Sequence, residues 1–361
     1  GRGFRAKPTS EPILRVVTRS ITLVGSFILI FSCCSGVMTT EETCCGGSVW
    51  RPKRDAAPGL LVPLYVYPAD EQGNLATPYR ELAELVKRYV SVTILAVVNP
   101  SNGPGRSSDP AYRKAIAHLR EAGVGVLGYV SSDYMRRPVR TIRGDIERWQ
   151  RLYPRVCGLF IDEVAQVPAG RQWDQRAEPY YADIRREAVV RGFLPVVGNP
   201  GTAVGDHYFK SVEELVDGGS SPVRAGRLWP RSSLAHPRRR SPHGATEIWM
   251  RPINKLLDTC HRCSSDLFDA LVVHERQGWP SKETLSGLEP EKRAVLVYGH
   301  GVWEPERFTS TAAQAGLIYV DDHALDTENA DMPWKSFPDN VGEQLRLLSE
   351  LQGDAPAQRS P

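Results

Sequence analysis

The segment Val156-Cys157-Gly158-Leu159-Phe160-Ile161-Asp162-Glu163 is an apolar run that ends in two adjacent carboxylates. A second run, Phe268 to His274, ends in Glu275. Cleavage of a glycosidic bond usually needs two carboxyl groups: one gives a proton to the leaving oxygen, and the other attacks the sugar or activates water. Asp162 and Glu275, each closing an apolar strand, are the expected pair. Asp162 is expected to act as nucleophile or oriented stabiliser and Glu275 as proton donor, with Glu163 as a third acidic residue in the pocket. In a regular strand Asp162 and Glu163 point to opposite faces, so they share a site only where the chain bends. The structural alternatives are a helix cap or a surface ion pair for either member of the Asp162–Glu163 pair, and an ordinary strand-end charge for Glu275.

Two asparagines end other apolar runs. Asn99 opens Asn99-Pro100-Ser101-Asn102-Gly103-Pro104-Gly105 and Asn199 opens Asn199-Pro200-Gly201. Each offers an amide suited to sugar hydroxyls, although Pro and Gly there also serve as ordinary turn formers. Aromatic residues recur at strand ends or in the loops that follow: Tyr65, Tyr67, Tyr129, Tyr134, Trp173, Tyr298 and Trp303. Aromatic faces pack against sugar C–H surfaces, and their polar edges make hydrogen bonds. Tyr65, Asn99, Tyr129, Tyr134, Asn199, Tyr298 and Trp303 are therefore the expected substrate-binding residues.

A scaffold must bring these positions to one rim. Apolar strand candidates are Leu60–Tyr67, Val92–Val98, Val124–Val130, Val156–Ile161, Leu194–Val197, Phe268–Val273, Ala294–Tyr298 and Leu317–Val320. Segments of helical spacing fall between them: Pro78–Arg88, Pro110–Glu121, Val139–Tyr153, Pro179–Val190, a piece near Val212–Val216, and Pro305–Ala315. Continuous apolar runs read as buried parallel strands. Eight of them alternating with helices predict an α/β fold of the (β/α)8 TIM-barrel type, whose chemistry sits at the carboxyl ends of the strands. An open doubly wound sheet is the alternative, but no Gly-x-Gly-x-x-Gly follows the first strand.

Residues 1–57 read as a leader and linker, 58–345 as the barrel domain, and 346–361 as a polar tail. The stretch 218–263 interrupts the barrel as an irregular insertion: a lid, a disordered loop or a translated intervening sequence. Setting aside 1–57 and 218–263 leaves about 258 residues, near the roughly 250 typical of such barrels. The insertion holds nine basic and two acidic residues, whereas the whole chain carries a formal charge of only +3. The basicity is local and comes without an aromatic platform or recognition helix, so nucleic-acid binding is not expected.

Ile21–Phe31 is nearly all apolar, too short for a typical span, and is expected to be a secretory signal or a membrane tether. A secreted or cell-surface protein follows from either, and a monomer is expected. Four of the seven cysteines, Cys33, Cys34, Cys44 and Cys45, precede the barrel. Cys260-His261-Arg262-Cys263 has ligand-like spacing but no second pair to complete a zinc site. No metal or organic cofactor is required by the carboxylate chemistry.

The motifs Leu61-Val62-Pro63-Leu64-Tyr65, Asn99-Pro100 with Asn102-Gly103-Pro104-Gly105, Gly128-Tyr129-Val130, Gly158 to Glu163, and Asn199-Pro200-Gly201-Thr202 together resemble the spherulation-specific family 4 (spherulin 4-like) proteins. The likeness runs from about Leu60 to Val216 and resumes from about Phe268 to Pro338. It implies a (β/α)8 glycoside hydrolase that cuts internally in an amino-sugar polysaccharide, with α-1,4-linked N-acetylgalactosamine, as in galactosaminogalactan, as the implied substrate. The family's vicinal acidic pair falls on Asp162 and Glu163, and its later glutamate falls on Glu275. Glu213 or Glu214 is the competing alignment, disfavoured because neither ends an apolar strand. Many family members are named by similarity alone, and a non-catalytic saccharide-binding or cell-wall or spore-coat barrel is the rival reading.

Overall fold

A computed structural model describes residues 57–166, 174–204, 208–209, 266–299, 302–323, 334 and 337–353. The apolar segment 21–31, the insertion 218–263, Trp173, Glu213, Glu214, the helical piece near 212–216 and the Cys260–Cys263 motif lie outside them.

Eight parallel strands close on themselves in sequence order. They are β1 (Gly59–Pro63), β2 (Ile94–Val98), β3 (Gly125–Ser131), β4 (Gly158–Asp162), β5 (Val196–Asn199), β6 (Ala270–Gln277), β7 (Arg293–Tyr298) and β8 (Leu317–Val320). Closure is made where Gly59 and Leu60 of β1 pair with Leu317 and Ile318 of β8. The expected (β/α)8 barrel is the observed fold. The helices described are α1 (Thr77–Arg88), α2 (Pro110–Ala122), α3 (Val139–Leu152), α4 (Ala177–Val190), α5 (Pro305–Ala312) and α6 (Val341–Leu351). The last was not expected, and it runs past residue 345, where a polar tail was expected to begin. Among these helices none is long and apolar enough to cross a membrane.

The helices lie on the barrel through stripes spaced by three and four residues. In α1 the buried positions are Tyr79, Leu82, Ala83 and Val86; in α2 they are Tyr112, Ala115, Ile116 and Leu119. That spacing places one apolar face against the strands. The start of α2 follows from its sequence: Asp109 accepts from the backbone N–H of Ala111 at 2.8 Å, and Pro110 occupies the first turn, where no N–H is needed. Gly123 ends it at φ 103°. The start of α1 differs from the sequence expectation. The helix begins at Thr77, one residue before the expected Pro78, and the Thr77 hydroxyl accepts from Arg80.

Helix α3 positions the rim most directly. Its Trp149 lies over Gly128, where an added Cβ would sit 2.6 Å from the indole ring. The same indole donates to the carbonyl of Tyr129 at 2.9 Å. Glycine at 128 thus lets a large ring close over β3 and fix the backbone of a rim residue. Buried Asp145 of α3 pairs with Arg148 and, at 2.5 Å, with Arg137. Arg137 in turn donates to the carbonyl of Ser131. The carboxyl end of β3 is held by its own helix.

Candidate active site

Parallel pairing places three rim residues in one row: Ser131 of β3 opposite Asp162 of β4, and Asp162 opposite Asn199 of β5. Glu275 of β6 joins them by a different route. The pairing of β6 with β7 slips between Val272 and His274. Such a bulge re-aims the side chains that follow it, and Glu275 is two residues beyond.

One side chain ties the two carboxylates together. Nδ2 of Asn199 donates to Asp162 Oδ1 at 2.8 Å and to Glu275 Oε2 at 2.5 Å. The two oxygens can be no farther apart than these bonds laid end to end, about 5.3 Å. The second oxygen of each carboxylate also has a neutral donor. Tyr129 gives its hydroxyl to Asp162 Oδ2 at 2.6 Å, and Trp334 gives its indole N–H to Glu275 Oε1 at 3.0 Å. The result is a continuous chain, Tyr129–Asp162–Asn199–Glu275–Trp334, across the mouth of the barrel.

Burial raises the pKa of Asp162, opposed by the hydrogen bond from Tyr129, raised again by the nearby Glu163 charge and opposed by Asn199. Burial likewise raises Glu275, joined by the charge of Asp162 and opposed by the bonds from Asn199 and Trp334. Two buried carboxyls this close disfavour double ionisation. Tyr65, half-buried beside the cluster, is pushed well above the ordinary phenol value by burial and then by the charges of Asp162 and Glu275. Its ring meets that of Tyr129 edge-on at 6.0 Å.

Glu163 reaches the same region because β4 ends at Asp162 and the next residue turns to φ 54°. This is the bend that the alternation of a strand forbids. The Glu163 carboxylate accepts from the hydroxyl of Ser131, and its backbone carbonyl accepts from Ser132 Oγ at 2.8 Å and from the N–H of Tyr134 at 2.8 Å. Asp133, Tyr134 and Met135 then form a left-handed turn, with φ of 47°, 51° and 67°. Each such non-glycine residue costs roughly 1–2 kcal/mol. Tyr180 from α4 secures the turn from behind, donating to the carbonyl of Arg137 at 2.8 Å. Tyr134 stands 43% exposed on this turn, with the Arg136 guanidinium 5.5 Å from its ring centre.

The remaining expected residues divide. Tyr298 lies by the cluster, its ring edge-on to Trp334 at 5.4 Å, and burial followed by the Glu275 charge raises its pKa. Asn99 holds its own turn: its Oδ1 accepts from the N–H of Gly103 at 2.8 Å. Asn199 uses its Oδ1 in the same way, toward Gly201, but its nitrogen faces the carboxylates. Trp303 packs on Phe308 at the start of α5, with ring centres 5.2 Å apart. The structure therefore brings together Asp162, Glu163, Glu275, Asn199, Tyr65, Tyr129, Tyr134 and Tyr298, and gives Asn99 and Trp303 contacts elsewhere. Trp334 and Ser131 were missed. Ser131 was signalled by a small polar residue ending an apolar strand; Trp334 had no comparable signal.

Beyond β8, Asp321, Asp322 and His323 bring potential ligand atoms within 4.8 Å of one another. The Nδ1 of His323 lies 2.8 Å from Asp321 Oδ1. No metal is assigned to this group.

Residues 59–217 match the model of spherulation-specific family 4. Spherulin-4 of Physarum polycephalum is 30% identical over 167 residues, a span covering 45% of this chain and 46% of that protein. The chain thus matches less than half the length of this relative. Among solved structures, a trimodular GH5_4 subfamily endoglucanase has a TM-score of 0.37 at 11% identity, covering 82% of this chain and 60% of its own. An N-acetylneuraminate lyase from Mycoplasma synoviae has a TM-score of 0.31 at 11% identity, covering 82% and 80%. Structural likenesses at this level carry no functional weight. The family match takes in Asp162, Glu163 and Asn199 and stops before Glu275, whose place in the site rests on geometry. Over residues 59–217, the chain is similar to spherulation-specific family 4.

Proposed function

We propose that the protein is a glycoside hydrolase that cuts internally in an amino-sugar-containing polysaccharide, with α-1,4-linked N-acetylgalactosamine as its linkage. The observation that carries this reading is the Asp162–Glu275 pair, held within about 5.3 Å by one amide at the mouth of the barrel. Retaining glycosidases place their carboxyls roughly 5–5.5 Å apart, and inverting ones leave roughly 6.5–9.5 Å for a water. The facing oxygens, at most about 5.3 Å apart, leave less than the inverting range, which favours retention.

In this mechanism Asp162 attacks the anomeric carbon while Glu275 passes its proton to the departing glycosidic oxygen. The sugar is left as an ester of Asp162. Glu275, now a carboxylate, takes a proton from water as that water attacks the anomeric carbon, and Asp162 leaves as the free carboxylate. The phenol of Tyr129 favours the ionised form of Asp162, and burial followed by the Asp162 charge favours the protonated form of Glu275. Tyr65, Tyr134 and Tyr298 supply aromatic walls around the reacting sugar. A protein that works on an extracellular polysaccharide fits secretion or a surface tether through 21–31, and the chemistry needs no cofactor and no partner subunit.

The test is incubation of the full chain with purified galactosaminogalactan, followed by mass spectrometry of the soluble products. A ladder of N-acetylgalactosamine oligosaccharides with a new reducing end is expected. Retention of the glycan on the folded protein with no new ends would instead establish a saccharide-binding barrel.

A further inference from the structure

We infer that Asn199 is a positioning residue that sets the spacing of Asp162 and Glu275 and governs how the pair shares its proton. This deepens the glycosidase reading and rests on it for its link to sugar cleavage.

The amide cannot be placed the other way round. Its Oδ1 accepts from the N–H of Gly201 at 2.8 Å, and an N–H can only meet the oxygen end. Gly201 adopts φ 68°, a conformation that glycine takes without steric cost. The turn therefore fixes which end of the amide faces the site. Two N–H bonds then point at the carboxylates, and two carboxylate oxygens receive them.

Other arrangements would not serve both groups. An ammonium would hold both carboxylates ionised, leaving no proton to deliver. A hydroxyl has a single hydrogen and could hold one. The primary amide donates to both and adds no charge, so burial and mutual repulsion still disfavour the doubly ionised state. Tyr129 and Trp334 restrain the outer oxygens from the two ends. Asn199 is the shared link between them.

Two substitutions separate this role from a merely structural one. Asn199→Asp keeps an oxygen for the N–H of Gly201 and, when ionised, removes both donors; Asn199→Ala removes the turn contact as well. In each full-length variant, carbon-13 NMR follows the titration of the Asp162 and Glu275 carboxyls, assigned with Asp162→Asn and Glu275→Gln. Loss of the donors is expected to raise the titration of the pair by about one pH unit. With galactosaminogalactan, kcat is expected to fall by about 100-fold with KM nearly unchanged, and the acidic limb of the pH profile to move upward. Thermal melts identify any variant that fails to fold, and Asn199→Asp is the decisive one, because its turn contact survives. An unchanged carboxyl titration in folded Asn199→Asp overturns the inference. A titration raised in folded Asn199→Ala as well, where no new charge is added, upholds Asn199 as the element that positions the pair, and if the wild-type protein then cleaves no glycan it is the glycosidase reading that falls.

Discussion

The indole N–H of Trp334 and a carboxylate oxygen of Glu275 are hydrogen-bonded at 3.0 Å, so the chain beyond the last strand holds the side chain at which the buried part of the sixth gives way to its exposed end. The Trp334 ring is itself seated against Tyr319 of β8 at 5.8 Å and Tyr298 of β7 at 5.4 Å. Three strands therefore contribute to the placement of one proton donor.

Trp334→Phe preserves an aromatic ring in this seat and removes the donor. It is expected to lower kcat about tenfold or more, the scale of a hydrogen bond to a charged group. The bond favours the ionised form of Glu275, so its loss raises the pKa of that group. A group that must be protonated to act then stays active to higher pH, and the basic limb of the profile moves upward. The kcat/KM profile of the variant against pH checks this; an unmoved basic limb contradicts it.

The buried carboxylates carry a stability cost. A carboxyl whose pKa is higher in the folded chain than in the unfolded chain binds its proton more tightly when folded. Its stabilising contribution is present below the unfolded value of about 4 and is lost as pH rises through the folded value. Both Asp162 and Glu275 are raised in this way. Asp162→Asn is therefore expected to raise Tm at pH 7 by about 2–4 °C, the equivalent of about 1 kcal/mol in a domain of this size. The gain should vanish near pH 3, where the native carboxyl is also protonated. Scanning calorimetry at both pH values reads the difference, and a lower Tm at pH 7 would refute it.

Tyr134 exchanges stability for a surface. Its φ of 51° suits glycine better than tyrosine. Tyr134→Gly is expected to stabilise the fold by up to about 1 kcal/mol, the relieved strain less the entropy gained by the unfolded chain. The same change should weaken saccharide binding by roughly fivefold, the worth of about 1 kcal/mol of aromatic contact. Urea unfolding and glycan titration measure the two effects. A destabilised variant that binds normally would show that the turn is not held for the sake of its ring.

Much of this site was legible from sequence because strands with both faces buried are uninterrupted apolar runs. Asp162, Asn199 and Glu275 each stand where such a run turns polar, and a closed parallel barrel carries all those points to one rim. The adjacency of Asp162 and Glu163 was harder to read. Strand alternation sends them apart, and only the left-handed backbone at Glu163 brings the second to the same region. Nothing in Asp133-Tyr134-Met135 signals three positive φ angles, since glycine is absent and the conformation is imposed by bonds from β4 and α4. Asn99 and Asn199 look equivalent in sequence, each opening an Asn-Pro turn, and each spends its carbonyl on that turn. They differ because a carboxylate stands on either side of Asn199, which depends on the register of β4 and β5 and the bulge in β6. Trp334 was illegible for a related reason: its bond to Glu275 joins residues 59 positions apart and exists only once the barrel has closed.

The most direct measurement is the release of reducing ends from purified galactosaminogalactan by the full chain and by its Glu275→Gln counterpart, both shown to be folded by their thermal melts. Release by the parent, with loss of about 100-fold or more in the variant, is the predicted result. Equal release by both, or none by the folded parent, would contradict a glycosidase built on the Asp162–Glu275 pair.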